Sequence, residues 1–241
     1  MGDDPEMNSV IGAFKVKPPQ GYPPEDGRYV RGDDCSPVAV AAILDANESN
    51  IPVELSEIIR VAVDSGAALA GSVQTENIGI EKIVANVVAN PNIRYLVICW
   101  RESAGHLTAD AIMKFLKNGV DDRRRIVGAE APTPFLYNLP MEAIERFREQ
   151  IEPINLLSED EPWLGMDAKY TREAVLACLS RDPVEFRGSV LHDKGAYPKP
   201  AICAKITVRV KEPWKYQTTS EELSLIERIK KAAKERGAGK Q

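Results

Sequence analysis

Residues 75–120 read TENIGIEKIVANVVANPNIRYLVICWRESAGHLTADAIMKFLKNGV, and this stretch decides the fold. Its first part carries an apolar stripe at helical spacing, formed by Ile80, Ile83, Val84, Val87 and Val88. A nearly unbroken apolar run at 93–99 follows and predicts a buried strand. A second helix is predicted from Thr108 to Lys117, and Asn118-Gly119 supplies its left-handed C-terminal stop. This alternation is typical of an α/β protein.

The same alternation extends outward from this stretch in both directions. Further strands are predicted at 36–44, 67–73, 125–129 and 153–157. Further helices are predicted at 54–64, with Leu55, Ile58, Ile59 and Ala62 on one face, and directly after Pro140. The strands are apolar on both sides, which indicates a parallel sheet with helices on both faces. The fold class is therefore predicted to be α/β.

Composition divides the chain into three parts. Residues 1–34 are rich in Pro, Gly and Asp and predict an irregular N-terminal arm. Residues 35–158 carry the α/β pattern. Residues 159–241 predict a small α+β extension, with a helix at 171–179, a one-sided strand at 201–211 and a charged last helix at 220–236.

Charge and hydropathy exclude several classes of function. The net charge is −5 with a pI near 5.3, so no general basic field exists to hold nucleic acid or acidic lipid. The longest uncharged apolar run, 95–100, is far shorter than the roughly 20 residues of a membrane helix. The acidic N-terminus does not resemble a signal peptide. These features predict a soluble, cytoplasmic protein without a membrane span, and the four cysteines form no CxxC pair that would indicate zinc.

The common catalytic motifs are missing, and His106 is the residue that stands out. The sequence contains no GxGxxG after a strand, no GxxxxGK[ST] and no GxSxG, and it has two histidines, far apart. His106 follows Gly105 at the predicted carboxyl end of a strand, where ligands bind in open α/β sheets. One neutral imidazole suits a metal that a macrocycle already holds. Glu102 or Asp110 could accept its other ring N–H; a surface or capping histidine is the alternative.

Two other segments could meet a ligand at the same edge. The helix start at Thr75, Glu76 and Asn77 could hold an anion such as a phosphodiester on its backbone N–H groups, or it could be simple N-capping. The proline-stiffened loop 131–138 offers Phe135 and Tyr137 for an apolar contact, or it could serve only as a rigid connector.

Long literal strings resemble one known family. TENIGIEKIVANVVANPNIRYL, then GHLT, NGV, RIVGA, PFLYNL and AIERFREQIE closely resemble the A subunit of tetrahydromethanopterin S-methyltransferase, over about residues 36–157. That family carries a corrinoid, a cobamide of the vitamin B12 class, and moves a methyl group from methyl-tetrahydromethanopterin towards coenzyme M in methanogenesis. The resemblance implies a Rossmann-like fold, distinct from the common B12 domain with its DxHxxG motif, and makes residues 35–158 the corrinoid-binding domain.

The resemblance also implies a set of site residues and a partner. His106, in the matching GH step, is the candidate lower axial ligand of cobalt. The matching strings supply the other candidate cofactor-binding residues: Gly105, Leu107, Thr108, Glu102, Thr75, Glu76, Asn77, Gly79, Pro134, Phe135 and Asn138. No catalytic residue is assigned. The implied partner is a pterin-dependent methyltransferase subunit resembling the H subunit of that complex.

The chain departs from the family pattern around this edge. Trp100 stands where a glycine is usual, Ala109-Asp110 replaces Gly-Gln, and the loop reads APTPF where members tend to have GAIPF. The family's hydrophobic anchor is replaced by a charged helix, which predicts a soluble homologue. Two alternatives therefore stay open: a corrinoid sensor or storage protein without methyl transfer, and an interaction protein that has lost the cofactor.

Overall fold

The computed structural model describes residues 17–45, 50–158, 160–161 and 163–181. The chain divides into two units, Met1–Tyr197 and Pro198–Gln241, and all described residues belong to the first. The strand predicted at 201–211 and the helix predicted at 220–236 lie outside the described residues.

A five-stranded sheet forms the centre of the described unit, in the order β1-β3-β2-β4-β5. The elements along the chain are β1 (Tyr29–Arg31), β2 (Val38–Ile43), α1 (Val53–Asp64), β3 (Leu69–Val73), α2 (Ile78–Val88), β4 (Tyr95–Trp100), α3 (Thr108–Asn118), α4 (Met141–Gln150), β5 (Glu152–Asn155) and α5 (Ala168–Leu179). Strands β3, β2, β4 and β5 are parallel, and β1 pairs antiparallel with β3 at one edge. The predicted Rossmann-like α/β fold is confirmed.

Helices cover both faces of the sheet, and the side chains of β2 show why its sequence is apolar throughout. Ala39, Ala41 and Ile43 pack in one cluster with α2, α3 and α4. Val38, Val40 and Ala42 pack in a second cluster with α1 and α5. Every residue of β2 is buried, because successive side chains point to opposite, equally covered faces.

The helices bury the faces that their periodicity predicts. In α1, the buried positions are the predicted Leu55, Ile58, Ile59 and Ala62. In α2, Ile80, Val84, Val87 and Val88 are buried, while Ile83 packs against the core in a partly buried position. Full burial of each large aliphatic side chain contributes about 1.5–3 kcal/mol, so these stripes hold the helices on the sheet.

Two predictions of secondary structure are wrong. Residues 125–129 form no strand but only two isolated bridges, Val120 with Ile126 and Arg125 with Phe135. The backbone has a positive φ of 67° at Arg124 and 82° at Gly128, which interrupts the extended conformation at both ends. The N-terminal arm is also not wholly irregular, because residues 29–31 add the antiparallel edge strand β1.

The boundary of the α/β domain predicted at residue 158 stays a prediction. The next helix along the chain, α5, begins at Ala168. Val175 and Cys178 of α5 are buried in the cluster that also contains α1 and β4. The chain therefore continues to cover the sheet at least to Leu179.

The order of the strands positions the candidate site. From β2 the chain moves outward to β3, then returns across β2 to β4. Connections that leave adjacent parallel strands in opposite directions open a crevice at their carboxyl ends, where ligands bind. Strands β3 and β4 lie on either side of β2. The loops that follow them can therefore meet across its carboxyl end.

Candidate functional site

His106 lies in the tight loop between β4 and α3. The flanking residues Gly105 and Leu107 both have left-handed backbones, with φ of 83° and 44°. The backbone N–H groups of His106 and Leu107 donate to the carbonyl of Ser103 at 3.3 and 3.0 Å. This turn presents the imidazole at the carboxyl edge of the sheet, with 35% of its side chain exposed.

A buried carboxylate from another loop holds the imidazole. Nδ1 of His106 lies 2.6 Å from Oε2 of Glu76, whose side chain is 0% exposed. The other oxygen, Oε1, accepts from the backbone N–H of Thr133 at 2.9 Å and from its hydroxyl at 2.7 Å. The prediction that Glu102 or Asp110 would hold the ring is therefore wrong. The partner comes from the loop after β3, 30 residues away in sequence.

The protonation of this pair follows from the charge on Glu76. Burial opposes ionisation of Glu76, but the hydrogen bonds from His106 and Thr133 together outweigh it and lower its pKa. An ionised carboxylate only accepts hydrogen bonds, so Nδ1 of a neutral imidazole must carry the proton and donate it. The lone pair then lies on Nε2. Within the described part of the chain, no residue forms a hydrogen bond with Nε2.

Glu102 has a different task, at the start of α3. Its Oε1 accepts from the backbone N–H groups of Ser103 and Ala109 at 2.8 and 2.9 Å, and its Oε2 accepts from that of Asp110 at 2.8 Å. Leu107 at the N-cap makes no side-chain cap, so Glu102 satisfies amides that would otherwise lack partners. A carboxylate here is also favoured by the helix dipole.

The segment that contains Glu76 caps α2 with its own side chains. Oδ1 of Asn77 accepts from the N–H of Ile78 at 2.7 Å, and Oγ1 of Thr75 accepts from that of Gly79 at 3.0 Å. These bonds are the N-capping that the sequence left open as the simpler alternative to an anion site. They occupy two of the first amides of α2.

Thr108 connects the loops that follow β3 and β4. Its buried hydroxyl donates to the carbonyl of Gln74 at 3.2 Å and lies 2.9 Å from the hydroxyl of Ser103. The backbone N–H of Thr108 donates to the same Ser103 hydroxyl at 3.3 Å. Thr108 therefore holds the start of α3 against the segment that carries Glu76.

The loop 131–139 is fastened to α2 at a second point. Asn138 donates its backbone N–H and its side-chain amide to the two carboxylate oxygens of buried Glu81, both at 2.8 Å. Burial raises the pKa of Glu81, and the bonds from Asn138 offset only part of that effect. Pro134, within this loop, is buried. The rings of Phe135 and Tyr137 stack on each other with centroids 5.1 Å apart, and Tyr137 is 66% exposed.

Trp100 does not fill the site. Its φ of 77° is a conformation that favours glycine, yet its indole is buried in the cluster formed with α1 and α5. Leu107, next to His106, packs on the opposite cluster. The indole of Trp100 therefore lies on the face of the sheet away from the cluster that Leu107 joins.

Sequence reasoning missed two contacts that define the site. The sequence predicts that Glu76 belongs to a helix start that binds an anion or caps the helix, and it assigns Glu76 no contact with His106 and Thr133 no role. Both contacts join loops that are distant in sequence, 30 and 57 residues apart. The available signal was that parallel strands β3 and β4 end at the same edge of the sheet, so that the loops that follow them begin there.

Comparison with known proteins decides the family. The family of the A subunit of tetrahydromethanopterin S-methyltransferase matches residues 15–192. The chain belongs to this family. The A subunit numbered 1 of Methanothermobacter marburgensis is 42% identical over 173 residues, which cover 71% of this chain and 66% of that protein. The A subunit of Methanopyrus kandleri is 40% identical over 70% of this chain and 64% of the relative.

Members of the family differ in how much of their length the match covers. The chain matches slightly less than two thirds of the two relatives just described. It matches 88% of the A subunit numbered 2 of Methanothermobacter thermautotrophicus, at 36% identity over 78% of this chain. Among the described residues, no helix has the length and apolar character needed to cross a bilayer.

Proposed function

We propose that this chain binds a corrinoid and carries a methyl group on it, between a tetrahydromethanopterin-type donor and a thiol such as coenzyme M. One observation carries the proposal: an accessible imidazole at the carboxyl edge of the sheet, fixed through Nδ1 so that Nε2 is available as a ligand. Membership of the family supports the reaction class, since the relatives are named for S-methyl transfer from tetrahydromethanopterin.

The donor set fits a corrinoid better than a bare ion. The described residues contain no group of three or more His, Cys, Asp or Glu side chains that could hold a metal. A single imidazole is sufficient when a macrocycle supplies the remaining donors. At Gly105, the position of an added Cβ has open space around it, so a flat ring can approach the backbone there. A bound corrinoid would supply the cobalt that accepts and releases the methyl group.

The protein's own residues then have separate tasks. In this proposal His106 offers Nε2, and Glu76 keeps the proton on Nδ1 and holds the plane of the ring. Glu102 and Thr108 maintain the turn by fastening the start of α3. The other residues that the resemblance implies, including Gly79, Pro134, Phe135 and Asn138, remain proposed contacts.

The methyl donor would be presented by a second protein. Because the relatives are named as subunits, we propose a pterin-dependent methyltransferase subunit, similar to the H subunit, as the partner, with a cytoplasmic location for the encounter. The exposed ring of Tyr137 at the same edge offers an apolar contact. The position of Trp100 argues against the alternative in which the cofactor site has been lost.

The experiment is anaerobic loading of the purified protein with a cobamide, followed by visible absorption spectroscopy. We expect the wild type and His192→Ala, which alters the other histidine, to share an absorption band that His106→Ala lacks. Identical spectra for the wild type and His106→Ala would remove the axial-ligand role. Methyl transfer assayed with a pterin-dependent partner then separates a carrier from a sensor or storage protein.

A further inference from the structure

Thr133 forms hydrogen bonds with two residues of the His106 site, Glu76 and Asn77. Its hydroxyl donates to Oε1 of Glu76 at 2.7 Å and accepts from the side-chain amide of Asn77 at 3.1 Å. Its backbone N–H donates to the same Oε1 at 2.9 Å. Since Glu76 accepts only, the direction of each bond is determined, and the chain of bonds runs from Asn77 through Thr133 and Glu76 to His106.

We propose that Thr133 is a positioning residue for His106: its hydroxyl fixes the Glu76 carboxylate, which in turn fixes the imidazole. The inference rests on the proposed function, because it concerns ligation by His106. It also gives a structural role to one departure from the family pattern, the threonine in APTPF.

The two carboxylate oxygens of Glu76 have different partners, Thr133 for Oε1 and His106 for Oε2, and the bonds from Thr133 keep this arrangement. Oε1 is held by both donors of Thr133, which leaves Oε2 directed at Nδ1 of His106. Removing the hydroxyl leaves Oε1 with one donor. It also leaves the side-chain amide of Asn77 with the backbone carbonyl of Thr133, at 3.4 Å, as its acceptor in place of the hydroxyl at 3.1 Å. The carboxylate is then held by the backbone N–H of Thr133 and by the ring alone, so its orientation against the imidazole is less well fixed.

The hydroxyl is not needed to keep the loop in place. Asn138 fastens the other end of the loop to Glu81 through two separate bonds, and Pro134 is buried. Thr133 itself is an exposed residue, so a side chain of the same shape is tolerated there. Thr133→Val therefore removes the hydroxyl with little change in packing, and Thr133→Ser keeps it.

The first experiment uses cobinamide, a corrinoid without a nucleotide base, so that any axial nitrogen must come from the protein. Electron paramagnetic resonance of the cobalt(II) form reports that nitrogen as a splitting. Loss of the group that hydrogen-bonds a metal-bound histidine weakens ligation by about 10–100-fold. Thr133 acts on that group, Glu76, so we expect a loss at the lower end, about tenfold, for Thr133→Val. Thr133→Ser should match the wild type. Equal ligation in Thr133→Val and the wild type would overturn the positioning role.

The second experiment needs no cofactor and keeps the two proposals distinct. In the free protein, the Nδ1 proton of His106 should give a slowly exchanging proton NMR signal, which His106→Ala removes. We expect about tenfold faster exchange in Thr133→Val, the equivalent of one lost hydrogen bond, and unchanged exchange in Thr133→Ser. Unchanged exchange in Thr133→Val would overturn this inference. Absence of axial nitrogen in the wild type would overturn only the proposed function.

If Thr133→Val does not fold, Thr133→Ala provides the same test, since it also lacks the hydroxyl and keeps the backbone donor. Far-ultraviolet circular dichroism of each variant verifies the fold before either measurement. Faster exchange in Thr133→Ala supports the positioning role, and wild-type exchange contradicts it.

Discussion

Glu76 and Glu102 both follow the carboxyl end of a strand, yet their carboxylates accept hydrogen bonds from different parts of the fold. Glu102 accepts three backbone N–H groups, and all of them belong to its own loop and to α3, at most 8 residues away. Glu76 accepts from His106 and Thr133, which are 30 and 57 residues away. One carboxylate maintains local structure, and the other joins three loops around an accessible imidazole.

The difference explains why Glu102, one of the two acceptors that the sequence offers for His106, does not bond to the ring. Glu102 is close to the histidine in sequence, but the uncapped amides of α3 are closer still and take both of its oxygens. Glu76 reaches the ring because β3 and β4 flank β2 and end at one edge. In a parallel sheet, neighbours in space at this edge come from successive loops rather than from successive residues.

Glu76→Gln should have the largest effect. Glutamine keeps the size and an oxygen for Thr133, but its NH2 group faces Nδ1 and drives the ring proton to Nε2. We expect up to about a 100-fold loss of imidazole ligation to a bound corrinoid, the upper range for outer partners of a metal-bound histidine. Titration with cobinamide, followed by absorption, measures it.

If Glu76→Gln bound the corrinoid with the same axial ligation as the wild type, Glu76 would not be the residue that orients the imidazole. Glu81→Gln is the matched control, because it changes a second buried glutamate of the same segment that contacts Asn138 and not His106. Glutamine at position 81 keeps an oxygen for the backbone N–H of Asn138, so the loop stays fastened and we expect ligation within about threefold of the wild type.

Glu102→Ala should lower stability more than it lowers ligation. It removes a carboxylate that caps α3 through three amides, and loss of such a cap costs about 2 kcal/mol. Urea unfolding measures the change in the free energy of unfolding. If Glu102→Ala instead abolished axial ligation while leaving the folded protein as stable as the wild type, the division between the two glutamates would be wrong.

The pH dependence of stability should be the smallest effect, and Glu76 and Glu81 should differ in sign. Glu76 has a lowered pKa in the folded state, so its stabilisation is present above its unfolded pKa of about 4.3 and is lost as pH falls through the folded value. Glu81 has a raised pKa, so its contribution is present below about 4.3 and is lost as pH rises through the folded value.

Urea unfolding of the wild type and the two glutamine variants, from about pH 6 to about pH 3, tests this contrast. The difference in free energy of unfolding between the wild type and Glu76→Gln should shrink as the pH falls. The wild type should gain stability relative to Glu81→Gln over the same range. Parallel curves for all three proteins would show that neither carboxyl has a shifted pKa.

The sequence was sufficient to predict those elements whose structure depends on their own local pattern of apolar residues. The helical stripe of α1 predicted all four of its buried residues, and the apolar run at 93–99 predicted β4 to within two residues. His106 was singled out correctly as a loop residue at a strand end, because that position depends only on the adjacent strand and helix.

The sequence was insufficient where contacts cross the fold. The apolar residues of 125–129 resemble a strand, but positive φ angles at Arg124 and Gly128 end the extended backbone. Residues 29–31 lack a long pattern, and they form β1 only because the edge of β3 offers a partner. The contact between Thr133 and Glu76 depends on how a loop folds back over α2, which no local pattern specifies.

The most direct test of the central claim is a crystal structure of the protein after anaerobic loading with excess cobamide. We expect the corrin ring at the carboxyl edge of the sheet, with Nε2 of His106 at coordination distance from cobalt and Nδ1 still bonded to Glu76. An empty edge, or an imidazole turned inward with Nε2 packed among side chains, would contradict the account.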